Sequence, residues 1–255
     1  TLVKTLDMPK DEWLETRRRG IGGSDASAIL GMNPWKTQMD VWLEKTGEFI
    51  DDNEEQDNEK MYWGTILEDV IAQEFATRTG LKVRRKNAIL RHREHPFMIA
   101  NVDRLIIGHQ AGLECKTAGH YSRDEWEMGV PEYYQVQVQH YMAVTGYSVW
   151  YVAVLIGGQE FRHYKISRDE QFIRELIEAE AEFWRLVETR TAPSLDGTKA
   201  SSELVKKRYP EAETGKKIEL PFEAFELIQQ YENACEQERR IQLIKDEAAN
   251  RLKDM

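Results

Sequence analysis

Glu114 and Lys116 stand two apart in the run Leu113–Thr117, so on a strand both side chains leave one face while Leu113, Cys115 and Thr117 leave the other. Asp103 closes the upstream run Met98–Val102, and a two-strand excursion with a tight turn can fold it back beside Glu114. Two carboxylates on adjacent strands can share hard divalent cations such as Mg²⁺, which prefer oxygen ligands. A lysine on the same face can stabilise or orient the attacking hydroxide. The same E-x-K spacing also fits a cross-strand ion pair on a wet face.

Glu68 is a third candidate carboxylate. It falls on the helix face shared with Gly64, Ile71 and Phe75, at the border of an apolar stripe, where a carboxylate needs a partner. A divalent cation would serve, and Gly64 one turn earlier would let a ligand approach the backbone. Pairing with an arginine would serve as well. Gln135, Gln137 and Gln139 alternate with Val136 and Val138 as in a strand, yet Tyr134, Val138, Tyr141 and Thr145 fit a helix that stacks Gln137 on Tyr141. Spacing alone leaves both open.

The elements that must position these residues are readable from periodicity and punctuation. Pro9 opens a helix through Trp13 to Arg19, and Gly20, Gly22 and Gly23 break it before Ser24, expected to cap a short helix that ends near Gly31. A helical piece spans Asp40–Lys45, and the segment Glu48–Glu59 has the acidic composition of a mobile loop. From Met61 to Thr79, Trp63, Ile66, Leu67, Val70, Ile71 and Phe75 follow the helical period up to Gly80. Strands are expected at Leu81–Arg84, Ala88–His92, Met98–Val102, Arg104–Ile107 and Leu113–Thr117, forming a meander whose last turn is bracketed by Gly108 and Gly112. Glu132–Thr145 follows Pro131. Ser148–Ile156 and Glu160–Ile166 then form a hairpin around Gly157-Gly158. Ser167 with Glu170 reads as the capping box of a helix through Arg190. A final helix from Phe222 to the end carries an interrupted apolar stripe, weakly coiled-coil-like.

The order of these motifs resembles the YqaJ-type viral recombinases, relatives of phage lambda exonuclease in the PD-(D/E)XK nuclease superfamily. It rests on Ile21-Gly22-Gly23-Ser24-Asp25-Ala26, Gly64 with Glu68, Asn101-Val102-Asp103, Glu114-Cys115-Lys116, and Gln137 to Tyr141 followed by Thr145-Gly146. The match runs from about Trp13 to Trp184, with Val102 in place of the superfamily's proline.

The resemblance implies an α/β, restriction-endonuclease-like core: a mixed, mostly antiparallel sheet flanked by helices, with a helical C-terminal appendage. It implies a nuclease domain over 1–192 and a linker with a helical segment over 193–255. Glu68, Asp103, Glu114 and the carbonyl of Cys115 would hold Mg²⁺ or Mn²⁺, two ions about 3.5–4 Å apart. Lys116 would act on the attacking water and Gln137 would support the site from a helix. Arg17 and Ser24 would bind the 5′ phosphate of the recessed strand, with Trp13 and Arg123 as looser DNA contacts. Without the resemblance, Ser24 reads as a serine cap on a glycine-rich turn.

The implied reaction is 5′-to-3′ degradation of linear double-stranded DNA, leaving a 3′ strand for a single-strand annealing recombinase, from a ring-shaped homotrimer in the host cytoplasm. Rival readings are an endonuclease or single-strand nuclease of the same superfamily, or a catalytically silent DNA-end-binding module.

Composition bounds these readings. At 255 residues the chain suits one large domain, or one domain with an appended helical segment. No apolar run approaches the roughly 18–20 residues that span a bilayer. The first ten residues lack the blocks of a signal peptide. Cys115 and Cys235 have no metal spacing, which argues against a disulfide scaffold, zinc finger or iron–sulfur cluster and favours a reducing cytosol. The net charge of −10 speaks against a surface coated in DNA-binding charge, but bases at Arg17–Arg19 and over Lys82–Arg93 permit a basic cleft within an acidic shell, and equally fit a solvated loop with two exposed faces.

Overall fold

Alternation along β6, Ala111–Ala118, sets the architecture. Leu113 joins the cluster formed with Ile71, Ala72 and Phe75 of helix α4, Glu59–Thr79, and Cys115 packs against it. Glu114 faces the other way, toward helix α5, Glu132–Thr145, whose Val138, Tyr141 and Met142 pack on Trp150, Val152 and Val154 of strand β7, Val149–Ile156. The sheet is therefore sandwiched between α4 and α5, each burying one face of β6 and β7.

This computed structural model describes residues 1–48, 59–209, 215 and 217–255. The central sheet has the order β2-β5-β6-β7-β8, with β2 at Val83–Arg85, β5 at Arg104–Ile106 and β8 at Glu160–Ser167. Among the described strands of this sheet only the β6–β7 pair is parallel, Glu114 opposite Val152 and Lys116 opposite Val154; α5 provides the crossover between them. The sheet is thus mixed and mostly antiparallel, as expected.

A smaller antiparallel sheet, β1-β3-β4, joins Val3–Lys4, Ala88–Arg91 and Ile99–Asn101. The expected single meander is thereby split. The chain changes sheets at Lys86-Asn87, because β2 pairs with β5 while β3 pairs with β4. Alternation reports that residues are extended, not which strand they meet. Gly112 lies inside β6 rather than at its turn, where an added Cβ would fall 2.2 Å from the Trp150 ring.

The N-terminal helices are α1, Lys10–Arg18, α2, Gly23–Ile29, and α3, Gln38–Thr46. α2 begins two residues earlier than expected: Gly22 is its cap residue, so Ser24 sits inside the first turn with an exposed side chain. Helix α6, Glu170–Glu188, is capped by Asp169, whose carboxylate accepts from the amides of Gln171 and Phe172, each at 3.0 Å. Ser167 belongs to β8 instead. In α4, Leu67, Ile71, Ala72 and Phe75 pack inward, whereas Trp63, Ile66 and Val70 of the expected stripe are exposed.

Helix α7, Lys199–Arg208, was not signalled by its Ser, Lys and Glu composition, yet its Leu204 is buried with Ile29, Trp42 and Phe183. Residues 1–208 form one compact unit and 209–255 another, the latter built on α8, Glu223–Asp254. The expected mobile acidic loop falls, for residues 49–58, outside the described residues.

Candidate active site

β6, the segment leading into β5, α4 and α5 converge on one cluster. Glu114, almost fully buried, uses Oε1 twice: it receives the Lys116 ammonium at 2.7 Å and the Gln137 side-chain amide at 2.7 Å. Its other oxygen, Oε2, is buried without a hydrogen-bond partner among the described residues. An orphaned carboxylate oxygen is costly in a desolvated setting unless a cation meets it.

Asp103 Oδ2 accepts the backbone amide of Cys115 at 2.8 Å, which clips the segment leading into β5 to the middle of β6. Burial, reinforced by the nearby Glu114 and Glu68 carboxylates, pushes the Asp103 carboxyl well above its ordinary range. Three acidic groups that repel one another in a dry setting are what a bound cation would relieve.

Burial alone would favour a neutral Lys116, but Glu114, Tyr134 and Asp103 outweigh it and raise the lysine further, so it stays an ammonium. It also lies 4.6 Å from the Tyr134 ring centroid. The Cys115 thiol points to the opposite face, where burial and then the three carboxylates push it up and keep it protonated.

Glu68 takes the arginine alternative. Its carboxylate is bound by Arg104, a buried guanidinium that also donates to the Asp103 carbonyl at 2.7 Å and to Asp69 at 2.7 Å. Among the described residues no three acidic, histidine or cysteine side chains are already arranged around one ion position. The donor set still fits a hard divalent cation, because the orphaned Glu114 oxygen and the desolvated Asp103 are hard oxygen donors of the required charge. Glu68 joins them only by exchanging Arg104 for the ion.

Arg17 and Ser24 meet at a second cluster, Arg17 Nη2 donating to Ser24 Oγ at 3.2 Å. The Trp13 ring lies under the Arg17 guanidinium at 4.9 Å. Beneath them Asp25 is completely buried between Lys45 at 2.7 Å and Lys36 at 2.9 Å, and it accepts the Gly22 amide at 3.1 Å. Lys45 in turn donates to the Arg17 carbonyl at 3.2 Å. Arg123 is not part of either cluster; its guanidinium is bound to Glu160 of β8 at 2.9 Å.

Tyr141 joins the two clusters. Gln137 donates to its hydroxyl at 2.8 Å, and the phenol is pushed up by burial and by Glu114 and Asp103, with Arg17 opposing. Gly23 permits this junction, since a Cβ there would sit 2.5 Å from the Tyr141 ring and 3.1 Å from the Gln137 carbonyl.

Residues 12–148 match the YqaJ-like viral recombinase domain. Over 99% of its length the chain is 50% identical to the uncharacterized protein YqaJ of Bacillus subtilis (strain 168), covering 80% of that protein. The chain belongs to the YqaJ-like viral recombinase family. Among solved structures it is similar to an alkaline exonuclease, LHK-Exo, from Laribacter hongkongensis, with a TM-score of 0.60 and 18% identity over 78% of this chain and 98% of that one. LHK-Exo in complex with dAMP matches equally, with a TM-score of 0.60, 19% identity, and 78% and 97% coverage. The fold is therefore that of the alkaline exonucleases. Family and fold together support a nuclease of the lambda-exonuclease kind.

Sequence reasoning assigned no role to Arg104, Tyr134, Lys36 or Lys45, although all four contact residues of this YqaJ-like site. The one available signal was Arg104 adjacent to Asp103, a base placed beside a candidate carboxylate.

Proposed function

We propose that the protein is a metal-dependent 5′-to-3′ exonuclease on linear double-stranded DNA that leaves 3′ single strands for a single-strand annealing recombinase. The observation that carries this reading is Glu114: one oxygen is fixed by Lys116 and Gln137, and the other is buried and unpartnered beside a desolvated Asp103.

Glu68, Asp103, Glu114 and the Cys115 carbonyl would hold Mg²⁺ or Mn²⁺, two ions in all. Bound there, the metal supplies charge that activates water and stabilises the leaving oxygen of a phosphodiester. Lys116, an ammonium at neutral pH, acts as a hydrogen-bond donor and point charge toward the attacking water, not as a base. Gln137 keeps Glu114 turned so that Oε2 remains available. Arg17 and Ser24 would take the terminal 5′ phosphate, with the Trp13 ring supporting the guanidinium from below. The Arg123–Glu160 pair would have to open for Arg123 to touch DNA.

Support for the substrate comes from the family, whose name is that of a viral recombinase, and from LHK-Exo, an exonuclease whose dAMP complex accords with a mononucleotide product. No helix among the described residues is long and apolar enough to cross a membrane. A ring-shaped homotrimer acting in the bacterial cytoplasm belongs to the same reading.

Incubating the protein with 5′-phosphorylated, 5′-hydroxyl, blunt and closed-circular DNA, in Mg²⁺ and in EDTA, tests it. Linear DNA should shorten to mononucleotides only with metal, and circles should persist. Cutting of closed circles would replace this reading with an endonuclease, and inertness toward every substrate would leave the silent end-binding module.

A further inference from the structure

Trp35 is 66% exposed, yet the turn that carries it is fixed. Asn33 Oδ1 accepts the amides of Trp35 and Lys36, each at 2.9 Å, and its own amide donates to Ser27 Oγ at 3.1 Å. The adjoining Lys36 is pinned by Asp25 at 2.9 Å and Glu44 at 2.6 Å. An indole is therefore held out toward solvent by a turn tied to the same Asp25 that underlies Arg17 and Ser24.

The indole is also connected to the metal-site cluster through a run of rings. Trp35 meets Tyr133 in an edge contact at 5.1 Å and 79°. Tyr133 meets Tyr134 at 4.4 Å. Tyr134 lies against the Lys116 ammonium at 4.6 Å. Both tyrosines begin α5, so the helix that presents Gln137 to Glu114 also presents these rings. Among the described residues no ring stacks face to face on Trp35.

The geometry points to a nucleobase platform at Trp35, supported by Tyr133, on which a base of the strand being cleaved stacks while its backbone passes Lys116. This rests on the nuclease reading above. A base fits better than an apolar protein segment because the exposed ring lies between the proposed phosphate-handling groups on two sides: Lys36, next to Trp35, binds Asp25, whose chain neighbour Ser24 takes the Arg17 guanidinium, and Tyr133 and Tyr134 lead to Lys116. Every base offers a π-face, so such a platform tolerates any sequence, as an enzyme that consumes a whole strand requires.

The test measures binding of the full-length protein to labelled duplex DNA in EDTA, which withholds the metal needed for cleavage. An abasic site is moved through the first nucleotides of the 5′ strand, using the parent protein, Trp35→Ala and Trp35→Phe. The parent should lose roughly five- to a hundredfold in affinity at one abasic position. Trp35→Ala should lose as much on intact DNA and nothing more at that position, and Trp35→Phe should retain most of the affinity. Losses that multiply independently at every position, or parent-like binding by Trp35→Ala, overturn the platform while leaving the nuclease reading intact.

A change in the sedimentation of DNA-free protein on Trp35→Ala, with abasic sensitivity unchanged, would assign the ring to a contact between copies and also overturn it. If the parent neither binds nor cuts DNA, both readings fall together. The abasic series with unmutated protein keeps the proposal falsifiable even if the alanine variant misfolds.

Discussion

Gln137 of α5 and Glu114 of β6 meet through a single oxygen, Gln137 Nε2 lying 2.7 Å from Glu114 Oε1. Because Lys116 reaches the same atom at 2.7 Å, the carboxylate is held in one orientation with Oε2 left over. The arrangement separates two tasks: Oε1 organises the protein's own donors, and on the proposed reading Oε2 would meet a cation.

From that separation, Lys116→Ala should lower turnover by at least about a hundredfold, the scale of a positioned catalytic group, while duplex binding and the unfolding midpoint change little. Gln137 still satisfies Glu114 Oε1 in the variant, so the strand keeps a partner for its carboxylate. Single-turnover kinetics beside a binding titration decides the matter. Near-parental turnover would remove Lys116 from the chemistry.

Glu68→Ala, Asp103→Ala and Glu114→Ala should each weaken Mg²⁺ and Mn²⁺ binding and stop cleavage in Mg²⁺, since each deletes a hard oxygen donor. The mildest binding loss is expected for Glu68→Ala, because Glu68 must first leave Arg104 to reach an ion. Isothermal titration of the three variants checks this. Parent-like metal affinity in all of them would locate the metal elsewhere.

Asp25 supplies a pH dependence with a definite sign. Burial would raise its carboxyl, but Lys36, Lys45 and Arg17 outweigh burial and hold it well below the ordinary carboxylate range. A folded-state value depressed in this way adds stability above the unfolded-state value of about 3.9 and loses it as pH falls through the folded value. Asp25→Asn leaves buried Lys45 with Glu44, at 3.3 Å, as its remaining counter-charge, and should cost toward the lower end of about 3–5 kcal/mol near neutral pH. Urea unfolding should show the gap to the parent narrowing in the acid range, below about pH 4. A gap of constant size down to about pH 2 would mean that packing, not the ionised network, makes the difference.

Much of the frame was legible because it rests on local pattern. The one-sided charge of β6 follows from Leu113, Glu114, Cys115 and Lys116 alternating, and it is present as expected. For α5 the alternating glutamines fitted strand and helix alike. The segment is a helix with residues 136–143 all buried, Gln137 and Gln139 among them, so polarity along it could not report its period, and the deciding information lies in what it packs against. Arg104 was opaque for a related reason: its partners Glu68 and Asp69 lie in α4, with three strands, β2, β3 and β4, between them and Arg104 along the chain, where no short-range spacing reports them. The split of the strands into two sheets was hidden likewise, because pairing partners are a property of the assembled core. Ser24 was assigned to a cap that Gly22 occupies; that left its hydroxyl free for Arg17, a contact that capping rules alone do not disclose.

That contact carries the prediction on polarity. Arg17 Nη2 lies 3.2 Å from Ser24 Oγ, with the guanidinium over the Trp13 ring, so the two polar groups are already side by side where a terminal phosphate would have to sit. A charged phosphate gains hydrogen bonds to the guanidinium that a neutral hydroxyl cannot make, typically about 1.5–3 kcal/mol. Expressed in the rate-determining complex, this gives a 5′-phosphorylated duplex roughly a tenfold to hundredfold advantage over the 5′-hydroxyl form. Arg17→Ala should erase most of that advantage by slowing the phosphorylated duplex far more than the hydroxyl one. Paired digestion rates of the two duplexes, parent against variant, give the readout. Equal slowing of both would make Arg17 a general backbone contact, and the lack of any preference in the parent would point to an enzyme that does not read DNA ends.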